Sequence, residues 1–239
     1  EADTVQTSII RSTGFWAPPD VITNAELVAS YNAYAARFNE EHSAAIAAGE
    51  REAVPFSSTE FIANASGIER RHVLEKSGIL DIDHLTPRIP PRGFDDISVQ
   101  AEFAMRAVTP ALEKAGRDGS GIDGVIVASS AQQRNFPGLS CEIQNLIGAT
   151  GWSFDLTMAC ASALYGLNIA NAMIRSGQAR RILVCSPEIM TCINVHSRRD
   201  VHFIFGDAAS AILVEADDGT PGGWDVLGTH TQNKFSNHL

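Results

Sequence analysis

The sequence predicts an α/β fold, a mixed sheet covered by helices on both faces. Three observations carry that reading. Two short runs, Val125-Ile126-Val127-Ala128 and Arg181-Ile182-Leu183-Val184-Cys185, are apolar strands of the fully buried type. Amphipathic segments alternate with them; in the clearest, Val99, Phe103, Ala104, Ala107, Val108, Ala111 and Leu112 recur at three- and four-residue steps. Finally, the stretch Gly151 to Met173 alternates like a strand through Trp152, Phe154, Leu156 and Met158, then continues as an apolar segment of helical length.

Taken in order, Val5 to Ile10 reads as a first strand, broken by Gly14 and by Pro18-Pro19. Thr23 or Asn24 can cap a helix through Leu27, Val28, Tyr31, Tyr34, Ala35 and Phe38, whose pattern continues to Ala48 and stops at Gly49. Ser57 or Ser58 starts a shorter helix with Glu60 near its first turn and Gly67 as its stop. Ile68 to Val73 looks like a strand with a basic edge. From Glu75 to Asp96, with Pro87, Pro90, Pro91 and Gly93, the chain reads as a long surface excursion of the kind that shapes ligand entrances. Ser98 opens the amphipathic helix, which ends near Gly116. After Pro137-Gly138 a helix runs from Leu139 or Ser140 to Ile147. Ala208 to Glu215 and Asp225 to Thr229 are the last strand candidates.

The chain has 239 residues, 44% hydrophobic and 19% charged, which describes a core-rich globular protein of one large domain or two small ones. A net charge of −10 argues against a nucleic-acid binder, because phosphate contacts need a basic face. No GxGxxG or GxxxxGK occurs, so a nucleotide site is not expected. Cys141, Cys160, Cys185 and Cys192 form no CxxC pair, and a reduced, cytoplasmic protein is expected rather than a disulfide scaffold. The N-terminal EADTVQTSII is acidic, lacks a signal-peptide pattern and lacks an initiator Met, so the expectation is a chain processed or trimmed at that end. His196 and His202 have neither ligand spacing nor a carboxylate pattern for a metal, and none is expected.

From Leu156 to Ile174 no residue is charged, nearly the length of a membrane span. Thr157, Ser162, Asn168, Asn171 and the strand that precedes them argue instead for a helix in the centre of a soluble domain. Cys160 lies where strand becomes helix. A thiol at a helix N-terminus faces unpaired backbone N–H groups and the positive end of the helix dipole, which favour its nucleophilic form. The alternative is a cysteine that fills space, as buried free cysteines often do.

The segments Ile68 to Arg71, Ser129 to Pro137 with Cys141 to Gln144, Asp155 to Ser162, and Phe205 to Ala211, in that order, resemble the β-ketoacyl-acyl carrier protein synthase III family of the thiolase-like superfamily. Ile68-Glu69-Arg70-Arg71 is similar to its Gly-Ile-x-x-Arg segment. Ser129-Ser130 through Phe136-Pro137, with Cys141-Glu142-Ile143-Gln144, resembles its dimer-interface loop and helix. Asp155-Leu156-Thr157-Met158-Ala159-Cys160-Ala161-Ser162 resembles the nucleophile segment, and Phe205-Gly206-Asp207-Ala208-Ala209-Ser210-Ala211 the entry to the second half. The resemblance implies a thiolase-like layered α-β-α-β-α fold. Residues 1–200 would be its N-terminal half and 201–239 the beginning of its C-terminal half. Around Tyr31 to Gly49 and Lys76 to Phe94 the chain looks like a longer subgroup, the additions either bearing on acyl-chain choice or being surface decoration.

The resemblance further implies a catalytic role for Cys160, which would accept an acyl group from acyl-CoA or an acyl carrier protein. Condensation with malonyl-CoA or malonyl-acyl carrier protein would follow, with loss of carbon dioxide and without a cofactor. The expected partners are a second copy in a homodimer, acyl carrier protein and coenzyme A thioesters. Phe136 would reach across the dimer to line the neighbour's acyl pocket; the alternative is a loop aromatic anchoring Pro137. The family's His and Asn, which stabilise the enolate, have no matching segment here, and His230 and His238 do not stand in for them. The expectation is therefore a chain that continues beyond Leu239 or is completed by another subunit, because otherwise one apolar face of the central helix and sheet would be exposed. Glu188 is open to a structural or a functional role. Arg175, Arg180, Arg181, Arg198 and Arg199 are either solvated charges or a patch for an acidic carrier protein or a coenzyme A phosphate. Two other classes stay open: a non-catalytic thiolase-like subunit that shapes a sibling's pocket, and a Cys-dependent acyl-thioester hydrolase.

Overall fold

A computed structural model describes residues 6–93 and 95–236. In chain order its elements are β1 (Ser8–Trp16), β2 (Asp20–Thr23), α1 (Asn24–Glu41), α2 (Ser43–Ala47), α3 (Thr59–Ser66), β3 (Arg70–Val73), α4 (Ser77–Leu80) and α5 (Val99–Lys114). There follow β4 (Gly124–Ala128), α6 (Leu139–Ile147), β5 (Trp152–Leu156), α7 (Ser162–Arg175), β6 (Arg181–Ile189), β7 (Asp207–Ala216) and β8 (Trp224–Asp225). The chain divides into two units, one made of Glu1–Trp16, Arg92–Glu188 and Ala209–Leu239, the other of Ala17–Pro91 and Ile189–Ala208.

The first unit is built on a sheet in the order β5-β4-β6-β7-β1-β8. β4 pairs in parallel with β5 and β6, while β1 pairs antiparallel with β7 and β8. All five residues of β4 are buried, as its unbroken apolar run requires. Ile126, Ala128, Ile182, Val184 and Val214 share a core cluster with Ala170 and Ile174 of α7. On β1 the register slips between Ile10 and Ser12, so Arg11 is an extra, bulged residue. One added residue exchanges the faces of all positions beyond it. Accordingly Ser8 bonds Asn171 of α7 (2.7 Å), whereas Ser12 bonds the Ala111 carbonyl of α5 (2.6 Å), and the two helices cover opposite faces of the sheet.

The second unit pairs β2 with β3 and packs α1, α3 and α4 around Ile22, Leu27, Ile62, Val73, Ile79 and Phe203. α1 opens with a capping box between Thr23 and Glu26. A hydrogen bond from Lys76, then those from Thr23, bring the Glu26 carboxyl down to about 2. Tyr31 is buried and stacks on His202, with ring centroids 4.5 Å apart, so α1 packs into the core along one face, while α2 buries no residue. Burial brings the His202 imidazole down to about 4, leaving it neutral at physiological pH.

Several expectations are corrected. β1 does not stop at Gly14 but runs through it, because an unsubstituted Cα admits the Ala107 carbonyl of α5: a Cβ would lie 1.9 Å from that oxygen. Val5, expected to begin this strand, lies outside the described residues. β2 was not anticipated. The helix expected through Ala48 breaks at His42. The edge of β3 is only partly basic: Arg70 and His72 face solvent, while Arg71 is buried and donates to Asn24 Oδ1 (2.6 Å) and the Ile22 carbonyl (3.2 Å). β5 is half-buried at every position, being a sheet edge, and the last strand shortens to Trp224–Asp225. α7 buries only one face; Leu164 is 68% exposed. No helix among the described residues is long and apolar enough to cross a membrane.

The close approach at Gly14 sets a direct test. Gly14→Ala must push β1 from α5, at a cost of about 2 kcal/mol, within the range of core overpacking. Urea denaturation should show a lower midpoint at unchanged slope; an unchanged midpoint would contradict the packing described.

Candidate active site

The parallel strands β4 and β5 deliver the chain to one end of the sheet, where the Ser129 amide still bonds the Leu156 carbonyl (3.1 Å). Past Leu156 the chain reverses within a few residues. Ala159 takes a left-handed conformation (φ 46°), costly for a residue with a Cβ, and one turn of 3-10 helix, Ala159–Ala161, leads into α7. Ser162 holds this turn. Its Oγ accepts from the Met158 amide (2.8 Å) and donates to the Ala159 carbonyl (2.7 Å). Cys160 sits on the turn, exposed to solvent. It precedes the helix by two residues, a small shift from the expected position at the helix start. Among the described residues its thiol has no hydrogen-bond partner, and its environment is the open turn rather than a packed core.

The supports of this turn are polar and distributed. Asp155, the fourth residue of β5, accepts from the amides of Leu139 (2.8 Å) and Ser140 (2.7 Å), so it caps α6 in place of the capless Gly138. Its charge also suits the positive end of that helix. Buried Gln100, in the first turn of α5, donates to the carbonyls of Pro187 (2.9 Å) and Ala131 (2.8 Å), and accepts from the Gln133 amide (2.7 Å). Glu188 is the penultimate residue of β6 and accepts from the Ser130 amide (2.7 Å). Together these contacts pin the loop after β4 to the strand ends beside the Cys160 turn.

Other expected residues fall in different places. Phe136 is 84% exposed, and among the described residues no ring or hydrogen-bond contact joins it to Pro137's surroundings or to Cys160. Cys185 is buried in β6, Cys141 is exposed and accepts from Ser153 Oγ (3.3 Å), and Cys192 is exposed. Three of the expected arginines are engaged within their own units. Arg181 pairs with Glu215, Arg198 with Asp200, and Arg199 lies over the Phe61 ring while donating to the Phe56 carbonyl. His196 and His202 bond carbonyls of Leu85 and Arg199 within their own unit. His230 is exposed, and His238 lies outside the described residues. No cluster of three or more potential metal ligands occurs among the described residues.

A family model described as 3-oxoacyl-[acyl-carrier-protein (ACP)] synthase III matches residues 154–234, the stretch containing Cys160. The β-ketodecanoyl-[acyl-carrier-protein] synthase of Pseudomonas aeruginosa is 42% identical over 212 residues, covering 88% of this chain and 61% of its own length. The β-ketoacyl-[acyl-carrier-protein] synthase III of Cereibacter sphaeroides is 30% identical over 237 residues, covering 97% of this chain and 60% of its own length. Over the matched span the chain is similar to the β-ketoacyl-[acyl-carrier-protein] synthase III family. It spans about six-tenths of the length of these curated relatives. Among solved structures, the priming β-ketosynthase of the R1128 polyketide pathway superposes with a TM-score of 0.68 at 25% identity, over 91% of this chain and 52% of that one. The thiolase-like α/β fold expected for a synthase III is thereby borne out.

Sequence reasoning missed Gln100, gave Asp155 no role beyond membership of a motif, and gave Ser162 no part in holding the turn. The available signals were a glutamine inside an apolar helical stripe and the only acid in the strand before Cys160.

Burial pushes the Glu188 carboxyl above the usual carboxylate range, although hydrogen bonds from Ser130 and Ser129 oppose the shift. The folded state therefore holds this proton more tightly than the unfolded one. Below the ordinary glutamate pKa of about 4.3 both states are protonated, and as pH rises past it stability is lost until the folded group ionises. Glu188→Gln, which keeps an acceptor for Ser130, should match the wild type in urea at pH 3.5 and exceed it at pH 8. A variant less stable at pH 8 would show that the charge is an asset.

Proposed function

We propose that the protein is a condensing acyltransferase of the synthase III type, acting through Cys160 in fatty-acid or related biosynthesis. The observation that carries this reading is the Cys160 turn itself: an exposed thiol on a strand-to-helix reversal, held by Ser162, within the segment matched by the family model. In the first step the Cys160 sulfur attacks the carbonyl carbon of an acyl thioester. The tetrahedral oxyanion is stabilised by backbone N–H groups, that of Cys160 among them, and the donor thiol departs to leave acyl-Cys160. In the second step a malonyl thioester loses carbon dioxide, and the carbanion so formed attacks the acyl carbonyl. A carbon–carbon bond forms, the Cys160 carbon–sulfur bond breaks, and a β-ketoacyl thioester leaves. The thiolate is a good nucleophile and a good leaving group, so one residue serves both steps.

By the same resemblance, coenzyme A and acyl carrier protein thioesters are the substrates, the working form is a cytoplasmic homodimer, and Phe136 lines the neighbour's acyl pocket. Its exposure is compatible with such a role, since a side chain that serves a partner need not pack at home. Residues 1–200 would supply the N-terminal thiolase-like half and 201–239 the opening of the second. The Pseudomonas aeruginosa relative is named for a β-ketodecanoyl product, which a two-carbon extension makes from an eight-carbon acyl group. Octanoyl-coenzyme A is therefore the first donor to offer.

Intact mass spectrometry after a short pulse of octanoyl-coenzyme A provides the test. One octanoyl group should add to the wild-type protein and none to Cys160→Ala. An adduct that persists in Cys160→Ala, or a folded wild type that never acylates with octanoyl or acetyl donors, would overturn the assignment.

A further inference from the structure

At the other end of the parallel strands from Cys160, three arginines converge on one carboxylate. The ends are separated by the length of β4, four residue steps or roughly 13 Å. Glu215, near the end of β7, is almost wholly buried and accepts from Nε of Arg11, Arg117 and Arg181, each at 2.9 Å. The three come from separate places: the bulge of β1, the segment after α5 and the first residue of β6. Arg11 is the extra residue of the bulge, the device that aims its side chain at Glu215. Burial works to raise the Glu215 carboxyl, and the hydrogen bonds from Arg117 and Arg11 outweigh it, holding the group below the usual carboxylate range.

Beside this cluster lies a cavity of about 490 Å³ lined by Arg11, Lys114, Arg117, Arg181, Asp218 and the turn Thr220 to Gly223. Four cations face two carboxylates, Glu215 and Asp218, an excess of two positive charges in a chain whose net charge is −10. Arg11 has its donors engaged, by Glu215, Asp218 and the carbonyls of Thr220 and Gly222. Arg117 gives Nε and Nη2 to Glu215, and Arg181 gives Nε alone. Among the described residues, Nη1 of Arg117 and both terminal nitrogens of Arg181 have no acceptor, while Lys114 makes a single bond, to the Thr13 carbonyl. Glu215 and Asp218 offset two of the four positive charges; the other two repel one another until a further anion joins them. Their paired donors match the oxygens of a phosphate group, and the excess of two charges matches a dianion.

We propose that this cavity is a binding site for phosphate-type oxyanions, either free or carried at the end of a nucleotide, separate from the Cys160 turn. Arg117, Arg181 and Lys114 supply the donors, Arg11 and Glu215 fix the floor, and Asp218 limits affinity from the rim.

Isothermal titration of the intact protein with inorganic diphosphate at low ionic strength tests this. One site should saturate and weaken as salt is added. Arg117→Gln should weaken binding roughly tenfold or more, the scale of a lost charge-assisted hydrogen bond. Asp218→Asn should tighten it, a gain that damage to the fold would not produce. A parallel titration with adenosine diphosphate separates the sources: tighter binding than diphosphate assigns a nucleotide phosphate, equal or weaker binding a free anion. Absence of binding to the wild type, or binding indifferent to both substitutions, would overturn the proposal.

Discussion

Helix α7 lies against the sheet as closely as it does because position 166 carries no side chain. A Cβ there would come within 2.8 Å of Val184 Cγ1 and 3.1 Å of the Ala128 Cβ, so any other residue would lift the helix from β4 and β6. The approach lets Ala170 and Ile174 complete the core with Ile126, Ala128, Ile182 and Val184. It also fixes where the helix begins, and hence where the Cys160 turn stands relative to the strand ends. A reactive group on a loop gains precision only from what anchors the loop, and here the anchors are a packed helix behind it and Ser162 within it.

The polar network around the strand ends does a second job. The loop after β4 would leave its amides and carbonyls short of partners, yet Gln100, Glu188 and Glu142 reach it from three different elements. Glu142 also takes the Ser98 amide, joining the start of α5 to α6. Each contact satisfies a backbone or guanidinium group that burial would otherwise penalise. The loop is thus held by acceptors and donors from outside itself, together with its own bond from Ser129 Oγ to the Ala131 carbonyl (2.7 Å).

Much of this was readable in the residues. The buried strands at Val125 and Ile182 and the amphipathic helix from Ser98 announce themselves because packing, period and capping agree there. Ser58 and Gly67 bracket α3 for the same reason. Legibility failed where a tertiary partner overrides a local signal. Gly14 looks like a breaker until the Ala107 carbonyl is opposite it, and Arg71 looks like a solvated charge until Asn24 turns toward it. The Cys160 turn was placed correctly from the change of periodicity. Its fastening by Ser162 was not, since a serine in an apolar run carries no signal for a bond four residues back. Arg11 shows the same limit: no pattern in one strand reveals a register slip against another.

The arginine cluster has a consequence for how this chain can change. Glu215 serves three cations, whereas each arginine is one of three serving it. Loss of one arginine leaves the carboxylate still paired; loss of the carboxylate leaves Arg117 and Arg181 without their anion and the buried Arg11 with Asp218 alone. Substitutions can therefore accumulate in one order only. The cluster can be dismantled from its rim, arginine by arginine, but not from its centre, so Glu215 should be the last member to vary among descendants of this chain.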